Sequence, residues 1–325
     1  MNNDQLLSAF QTMLLSRRLD ERAWMLHRQG KIAFHISGIG HEAAQVAMAY
    51  AIERGRDYVV PYYRDLAFML GLGMTAREFV LSLMGKRDDP SSGARQMPSH
   101  WSMREMNVVS HSSPVASQVP HATGIAMGIR AAKDDAIVLT TIGEGGTSQG
   151  AWYEAVNWAA IHKLPVLFVV ENNRYAISVR QEQQMAVENV VDKASGLGLP
   201  GVRVDGTDIL AVYDAVGEAA ERARRGDGPT LLEFTLDRIT PHSSDDDDRT
   251  YRTKEEVDAY RERDPLLVTR NLLLERKLIT PTAYKDMDAR AQEMVDEALH
   301  FAESAPYPAP EDAAGPVYAE DIRRG

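Results

Sequence analysis

No cysteine occurs among the 325 residues of this chain. That excludes disulfides, thiol nucleophiles and cysteine-ligated metals. Positive charge is in deficit: 36 lysines and arginines stand against 47 acidic residues, a formal net charge of −11. Nucleic acid and anionic membranes are therefore poor candidates as main partners. Long apolar runs are missing too. The most apolar stretch, Leu164 to Val170, falls far short of the roughly 20 residues a membrane span needs. The opening MNNDQLLSAF has no basic segment leading into an apolar core, so no secretory leader is expected and the location reads as cytoplasmic. There is no internal repeat. The one low-complexity run, Asp245 to Asp248, lacks the spacing and the glycine of a calcium loop. What is present is globular in composition: 44% of residues are hydrophobic, enough to bury a full core. The length suits one large α/β domain with an appendage.

The centre of the chain carries the most information. Ala136 to Ile142 (AIVLTTI) is a continuous apolar, β-branched run, the pattern of a buried parallel strand. It runs into Gly143-Glu144-Gly145-Gly146. Ala151 to His162 then has helical spacing, with Trp152, Ala155, Val156 and Ala159 on one side. Pro165 to Val170 is a second buried strand, and it ends at Glu171-Asn172-Asn173-Arg174-Tyr175. Strand, helix, strand is a right-handed crossover, which leaves both strands parallel with their carboxyl ends on one edge. Open α/β sheets bind ligands at that edge. Glu144 and Asn173 are thus expected side by side. A carboxylate, a carboxamide oxygen and nearby carbonyls are hard ligands, suited to magnesium or calcium. The glycines around Glu144 would let backbone approach a phosphate bridged by that metal.

Elsewhere, Gln5 to Arg28 reads as a helix that ends at Gly30, with Leu6, Phe10, Met13 and Leu14 inward. Glu42 to Glu53 reads as another. Val59 to Arg64 is expected as a short strand ending in Tyr62, Tyr63 and Arg64, whose arginine offers a forked, permanently charged donor for phosphate. Thr75 to Glu78 is a capping box opening a helix. Lys86 to Ser117 has little periodicity. A connection that long inside a compact domain is functional or disordered, and Trp101, Met103 and Met106 favour an ordered, functional one. Helices are expected at Gln118 to Ala132 and Ile209 to Arg225, and strands at Val202 to Gly206 and Pro229 to Leu236. Arg238 to Arg249 is a polar loop, and Thr240 to Arg252, acidic and with few apolar anchors, is expected to be mobile until a ligand binds. From Lys254 the pattern is helical, with Tyr284, Met287, Ala291, Met294 and Ala298 on one face of the last helix. Pro306 to Gly325 is a proline- and alanine-rich tail. The predicted fold is a mostly parallel α/β sheet with helices on both faces over residues 1–252, followed by a helical extension over 253–325.

The glycine turn carrying an acid and the Asn-Asn pair about thirty residues on resemble the thiamine diphosphate motif. With the other blocks between Phe34 and Arg252, the chain resembles the α subunit of the first component of 2-oxo acid dehydrogenase complexes, bacterial branched-chain type. The resemblance implies oxidative decarboxylation of branched-chain 2-oxo acids and reductive acylation of a lipoyl carrier, with thiamine diphosphate and magnesium as cofactors. It places Tyr63, Arg64, Ser113, Val115, Gly143, Glu144, Gly145, Gly146, Asn173, Tyr175 and His242 on the cofactor. Magnesium would lie on Glu144, Asn173 and the carbonyl of Tyr175. Ser112, Ser117 and Gln118 match a potassium site, although such residues equally cap loops. Phe34, Tyr63 and Ser112 would face substrate, and His242 would be catalytic, beside the diphosphate. His35, His41 and His111 are left as residues of an outer layer. Glu171 departs from relatives that carry arginine there, so Arg64 and magnesium are expected to meet most of the phosphate charge. The glutamate that these enzymes use to activate the cofactor belongs to a β subunit and has no counterpart here. The expected partners are therefore a β subunit, in an assembly of two α and two β chains, and a lipoyl-bearing acyltransferase. The same chemistry on pyruvate or acetoin is the nearest alternative. A regulatory subunit that binds nucleotide phosphates is the alternative outside enzymes.

Overall fold

The computed structural model describes residues 1–314. The chain opens with α1 (Asn3–Arg28), fixed by a reciprocal cap: Gln5 N donates to Asn2 Oδ1 at 2.8 Å and Asn2 N to Gln5 Oε1 at 2.9 Å. Its buried face includes Leu6, Phe10, Met13 and Leu14. Then come α2 (Glu42–Ala51), buried almost all round, and β1 (Tyr58–Val60). β1 stops short of the expected Arg64 because Pro61 has no N–H for the ladder. Directly after it, α3 (Leu66–Leu72) is a helix that the pattern did not predict. Every one of its residues is buried, so it has no polar face and no 3.6-residue alternation to read. α4 (Ala76–Leu83) starts at the Thr75 capping box as expected.

Residues 86–117 contain one short 3-10 turn, Arg104–Met106, and are otherwise irregular yet anchored. Trp101 is buried, and its Nε1 donates to Tyr62 O at 2.9 Å. There follow α5 (Gln118–Ala132), β2 (Val138–Gly143), a 3-10 turn over Glu144–Ser148, α6 (Gly150–Ile161) and β3 (Val166–Asn172). A small hairpin of β4 (Tyr175–Ala176) and β5 (Val179–Arg180) leads through α7 (Lys193–Leu197) to β6 (Gly201–Asp205), α8 (Ile209–Arg224) and β7 (Thr230–Thr235). The chain then enters α9 (Lys254–Glu262), α10 (Pro265–Glu275) and α11 (Pro281–Ser304).

The five long strands form one parallel sheet in the order β1-β2-β3-β7-β6. One apolar layer unites one face of the sheet with α1 to α4, α8, α10 and α11. The other face carries α5, α6 and α7. This is the doubly covered parallel sheet that the sequence predicts. α11 packs along α1 and α4 and buries Ala291, Val295, Ala298 and Ala302. The expected face is thus rotated slightly: Val295 is inside and Met294 is only partly covered. Of the expected tail, residues 315–325 lie outside the described residues. Among the described residues no helix is long and apolar enough to cross a membrane.

Candidate active site

β2 and β3 are parallel neighbours in which Gly143 pairs with Glu171, so the glycine turn and the Asn-Asn pair do end on one edge. A cavity of about 250 Å³ opens there between β1, β2, β3 and the 111–118 segment. Its wall includes Tyr63, Arg64, Ser112, Ser113, Val115, Gln118, residues 143–146, Asn173, Tyr175 and His242. Residues spread over most of the chain thus converge. A larger groove, about 830 Å³, lies beside it over β3, β7 and β6. Several charges there are paired among themselves, Arg174 and Arg263 with Asp237 and Arg180 with Glu256. The smaller cavity differs in that its buried charges lack such partners.

Glu144 is buried, and its carboxylate receives only two long contacts, from Asn173 N at 3.3 Å and Gln184 Nε2 at 3.4 Å. Burial pushes its pKa up; the nearby N–H groups, Arg238 and Arg64 oppose that shift. Among the described residues no cation forms a salt bridge with it. Near it are two buried arginines that, among the described residues, have no carboxylate partner. Arg64 donates to Ser37 O and to His242 Nδ1, the latter at 3.3 Å, and its Nε has no partner. Arg238 donates to Ile177 O at 2.7 Å, Tyr251 Oη at 2.9 Å and Tyr175 O at 3.4 Å, and its Nε is also unpartnered. Burial first and then Arg64 lower the Arg238 pKa to about 10. Unpaired buried charges of both signs around one cavity are costly unless a ligand of mixed charge enters. An anion joined to a metal cation fits both.

His242 is pushed down to about 3 by burial and by Arg64 and Arg238, so the imidazole is neutral. Its Nδ1 accepts from Arg64, which assigns the remaining proton to Nε2 and leaves that nitrogen a donor. Tyr63 lies edge-on to His242, ring centres 6.2 Å apart, and under the Arg64 guanidinium at 5.4 Å. Asn173 Nδ2 lies 3.3 Å from His41 Nε2, and Asn173 Oδ1 accepts from Tyr175 N at 3.3 Å. Tyr175 is held from outside the cavity. Its hydroxyl donates to Glu256 Oε1 at 2.7 Å, and Glu256 also accepts from Tyr260 Oη at 2.6 Å and Arg180 Nη2 at 2.8 Å.

Several expectations change in detail. A Cβ on Gly145 would meet Ala176 Cβ at 2.6 Å, and one on Gly146 would meet Ile142 Cδ1 at 2.3 Å. These glycines are therefore required by packing of the turn against β4 and β2, in addition to any ligand. Glu171 turns away from the cavity and accepts from Gln45 Nε2 and Tyr62 Oη, both at 3.0 Å. Burial raises both Glu171 and neighbouring Asp65, and repulsion from Glu171 raises Asp65 further. Arg174 pairs with Asp237 beside the larger groove, and Arg238, which does not itself line the smaller cavity, is the second cation whose charge acts on Glu144 and His242. Arg238 was not singled out from the sequence. The one available signal was its place just after β7, on the ligand-binding edge.

Phe34 is half-buried and does not line the cavity. Ser117 does not line it either; its hydroxyl caps Ser112 O at 3.1 Å, and Gln118 Nε2 donates to Thr141 O at 2.9 Å. Of the three outer histidines, His111 lines the cavity, His41 backs Asn173, and His35 pairs with buried Asp20 at 2.8 Å. The acidic loop is tied by more than phosphate contact. Arg252 donates to the carbonyls of Arg238 and Thr240, and Ser244 exchanges hydrogen bonds with the His35 backbone at 2.9 and 3.0 Å.

A parallel sheet covered on both faces, with a two-signed buried cavity at its carboxyl edge, defines a ligand-binding α/β protein of the doubly wound class. The chain belongs to the family described as dehydrogenase E1 component, which matches residues 10–311. It is 50% identical over 320 residues to the 2-oxoisovalerate dehydrogenase subunit alpha of Bacillus subtilis, covering 98% of this chain and 97% of that one. It is 37% identical over 307 residues to the pyruvate dehydrogenase E1 component subunit alpha of Bacillus subtilis, covering 94% of this chain and 80% of the relative. The corresponding Staphylococcus aureus (strain Mu50) subunit is 35% identical over 305 residues, with the same coverage. Family membership sets aside the regulatory nucleotide-binding alternative.

Proposed function

We propose that this chain is the α subunit of a branched-chain 2-oxo acid dehydrogenase, working with thiamine diphosphate and magnesium. The observation that carries the reading is that buried Glu144 and buried Arg64 line one cavity with buried Arg238 nearby, and that among the described residues none of the three forms a salt bridge. Arg64, Arg238 and the Nε2–H of His242 would hold the diphosphate. Glu144, Asn173 and the carbonyl of Tyr175 would hold magnesium; the 3.4 Å contact from Arg238 to that carbonyl is weak enough to yield. When bound, thiamine diphosphate supplies the carbon centre that allows a 2-oxo acid to lose carbon dioxide. The chain's own groups orient the cofactor, neutralise its phosphates and offer a neutral imidazole donor beside them. Tyr63, Ser112 and the more distant Phe34 are the candidate substrate contacts. Ser112, Ser117 and Gln118 form the candidate potassium position.

Glu144 is the sole carboxylate in the cavity wall among the described residues, and a metal ligand cannot also serve as the activating acid. This supports a β subunit that supplies that glutamate, in an assembly of two α and two β chains, with a lipoyl-bearing acyltransferase as the acceptor. Substrate choice rests on the stronger likeness to the 2-oxoisovalerate relative than to the pyruvate relatives reported above. Each buried methylene is worth about 0.8 kcal/mol, and an apolar pocket discriminates by roughly 10- to 200-fold per methylene. The test is kcat/KM of the assembled α–β complex for 3-methyl-2-oxobutanoate, 4-methyl-2-oxopentanoate and pyruvate. The branched acids should exceed pyruvate by at least about tenfold; a pyruvate value equal to or above theirs would overturn the branched-chain assignment.

A further inference from the structure

The Glu144 carboxylate is poorly held by its own contacts, both longer than 3.2 Å. Its place is set instead by the backbone of the short turn over residues 144–148. That turn is braced from the side. Thr147 Oγ1 lies 2.7 Å from Glu144 O. A carbonyl only accepts, so the single hydroxyl proton of Thr147 is committed to Glu144 and its lone pairs remain free. One lone pair is filled by Lys193 Nζ at 2.8 Å, and the same ammonium donates to Thr147 O at 3.1 Å. Thr147 is fully buried. Lys193, at the start of α7, lies 5.4 Å from the ring centres of both Trp152 and Tyr153 on α6. Among the described residues it forms no salt bridge with a carboxylate. Its charge-assisted hydrogen bonds therefore go to this turn alone.

We propose that Lys193 is a positioning residue for Glu144, acting through the hydroxyl of Thr147. This rests on the reading of Glu144 as a magnesium ligand. The residue itself touches neither metal nor cofactor; it fixes the carbonyl at the base of the ligand, and with it the direction in which the carboxylate leaves the backbone. Groups that orient a ligand from behind typically change metal affinity by about 10- to 100-fold when removed. Among the described residues the turn has one other side-chain tie outward, Ser148 Oγ to Gln184 O at 3.5 Å, which is longer and does not reach the Glu144 carbonyl. The opposite side of the turn is closed by Ala176 against Gly145, a contact that resists compression and cannot pull.

The test uses the assembled α–β complex and calorimetric titration of magnesium in the presence of thiamine diphosphate, together with melting of the complex free of both. Four proteins are compared with wild type: Lys193→Met, Thr147→Val, the double variant and Glu144→Gln. Lys193→Met should weaken magnesium binding about tenfold. In the Thr147→Val background the same change should cost less than about twofold, because its route to Glu144 is already cut. Full additivity of the two losses, or unchanged affinity in Lys193→Met while Glu144→Gln binds poorly, would overturn the proposal. So would a loss of affinity matched by a large fall in melting temperature of the cofactor-free complex, which marks a merely structural role. Unchanged affinity in Glu144→Gln would remove the metal-ligand reading itself.

Discussion

Glu144→Gln should move stability and affinity in opposite directions. The side chains are nearly equal in volume, so the substitution opens no cavity in the turn. In the cofactor-free protein the carboxylate is buried, two long contacts are its whole support, and burial raises its pKa. Replacing it by a neutral amide removes that desolvation penalty. A gain on the order of 1 kcal/mol is expected, a rise of about 1 to 3 °C in melting temperature for a chain of this size. With ligand the sign reverses. Removing one partner from a buried ion pair costs about 3–5 kcal/mol. At 1.4 kcal/mol per decade, that is a loss of roughly 10² to 10³ or more in affinity. Glu144→Ala should lose the binding as well, while leaving the fold intact. The assay pairs thermal melting of the cofactor-free α–β complex with calorimetric titration of magnesium and thiamine diphosphate. A lower melting temperature together with affinity within about threefold of wild type would refute the reasoning, since Glu144 would then be a structural carboxylate already satisfied without a cation.

Acid should act on the cofactor-free protein through His242. Its folded pKa of about 3 lies below its ordinary value of 6.5, so the unfolded chain binds a proton that the folded chain refuses. Stability is therefore complete above pH 6.5 and declines as the pH falls from there toward 3. At pH 5.5 the loss should be about 1 kcal/mol after allowing for solvent screening. His242→Gln should shrink the fall in melting temperature between pH 7.5 and 5.5; equal falls in variant and wild type would refute this. Purified α chain without its β partner should bind cofactor weakly and show no 2-oxo acid decarboxylation, because the cavity wall offers no second carboxylate. Substantial turnover by the lone chain would show that an activating acid lies elsewhere in it.

The strand-turn-helix-strand centre was legible because each piece carries its own local signal: apolar continuity, glycine punctuation, helical spacing, then an abrupt polar end. So were the Thr75 capping box and the face of α1. α3 was not, because a helix buried on every side has no alternation to detect. The β4–β5 hairpin was missed because strands of two residues leave no period. Arg238 shows a different limit. A single arginine after a strand carries no pattern, and its meaning depends on Arg64, brought beside it only by folding. The loop after it looked polar and free, yet Arg252 ties its two ends through the carbonyls of Arg238 and Thr240. Anchors made of side chain to backbone contacts leave no trace in hydropathy.

Three donors converge on Glu256, and two of them, Tyr175 and Arg180, sit on the hairpin that borders the cavity. The residue reaches them only because α9 begins at Lys254, straight after the loop anchored by Arg252. Surface connections ordinarily accept insertions and deletions with little effect. This one should not. Adding or removing a single residue between Arg252 and Lys254 would turn the helix by about 100° and carry Glu256 off both partners. The junction is therefore length-locked, and lineages that diverge freely in sequence here should still keep the count.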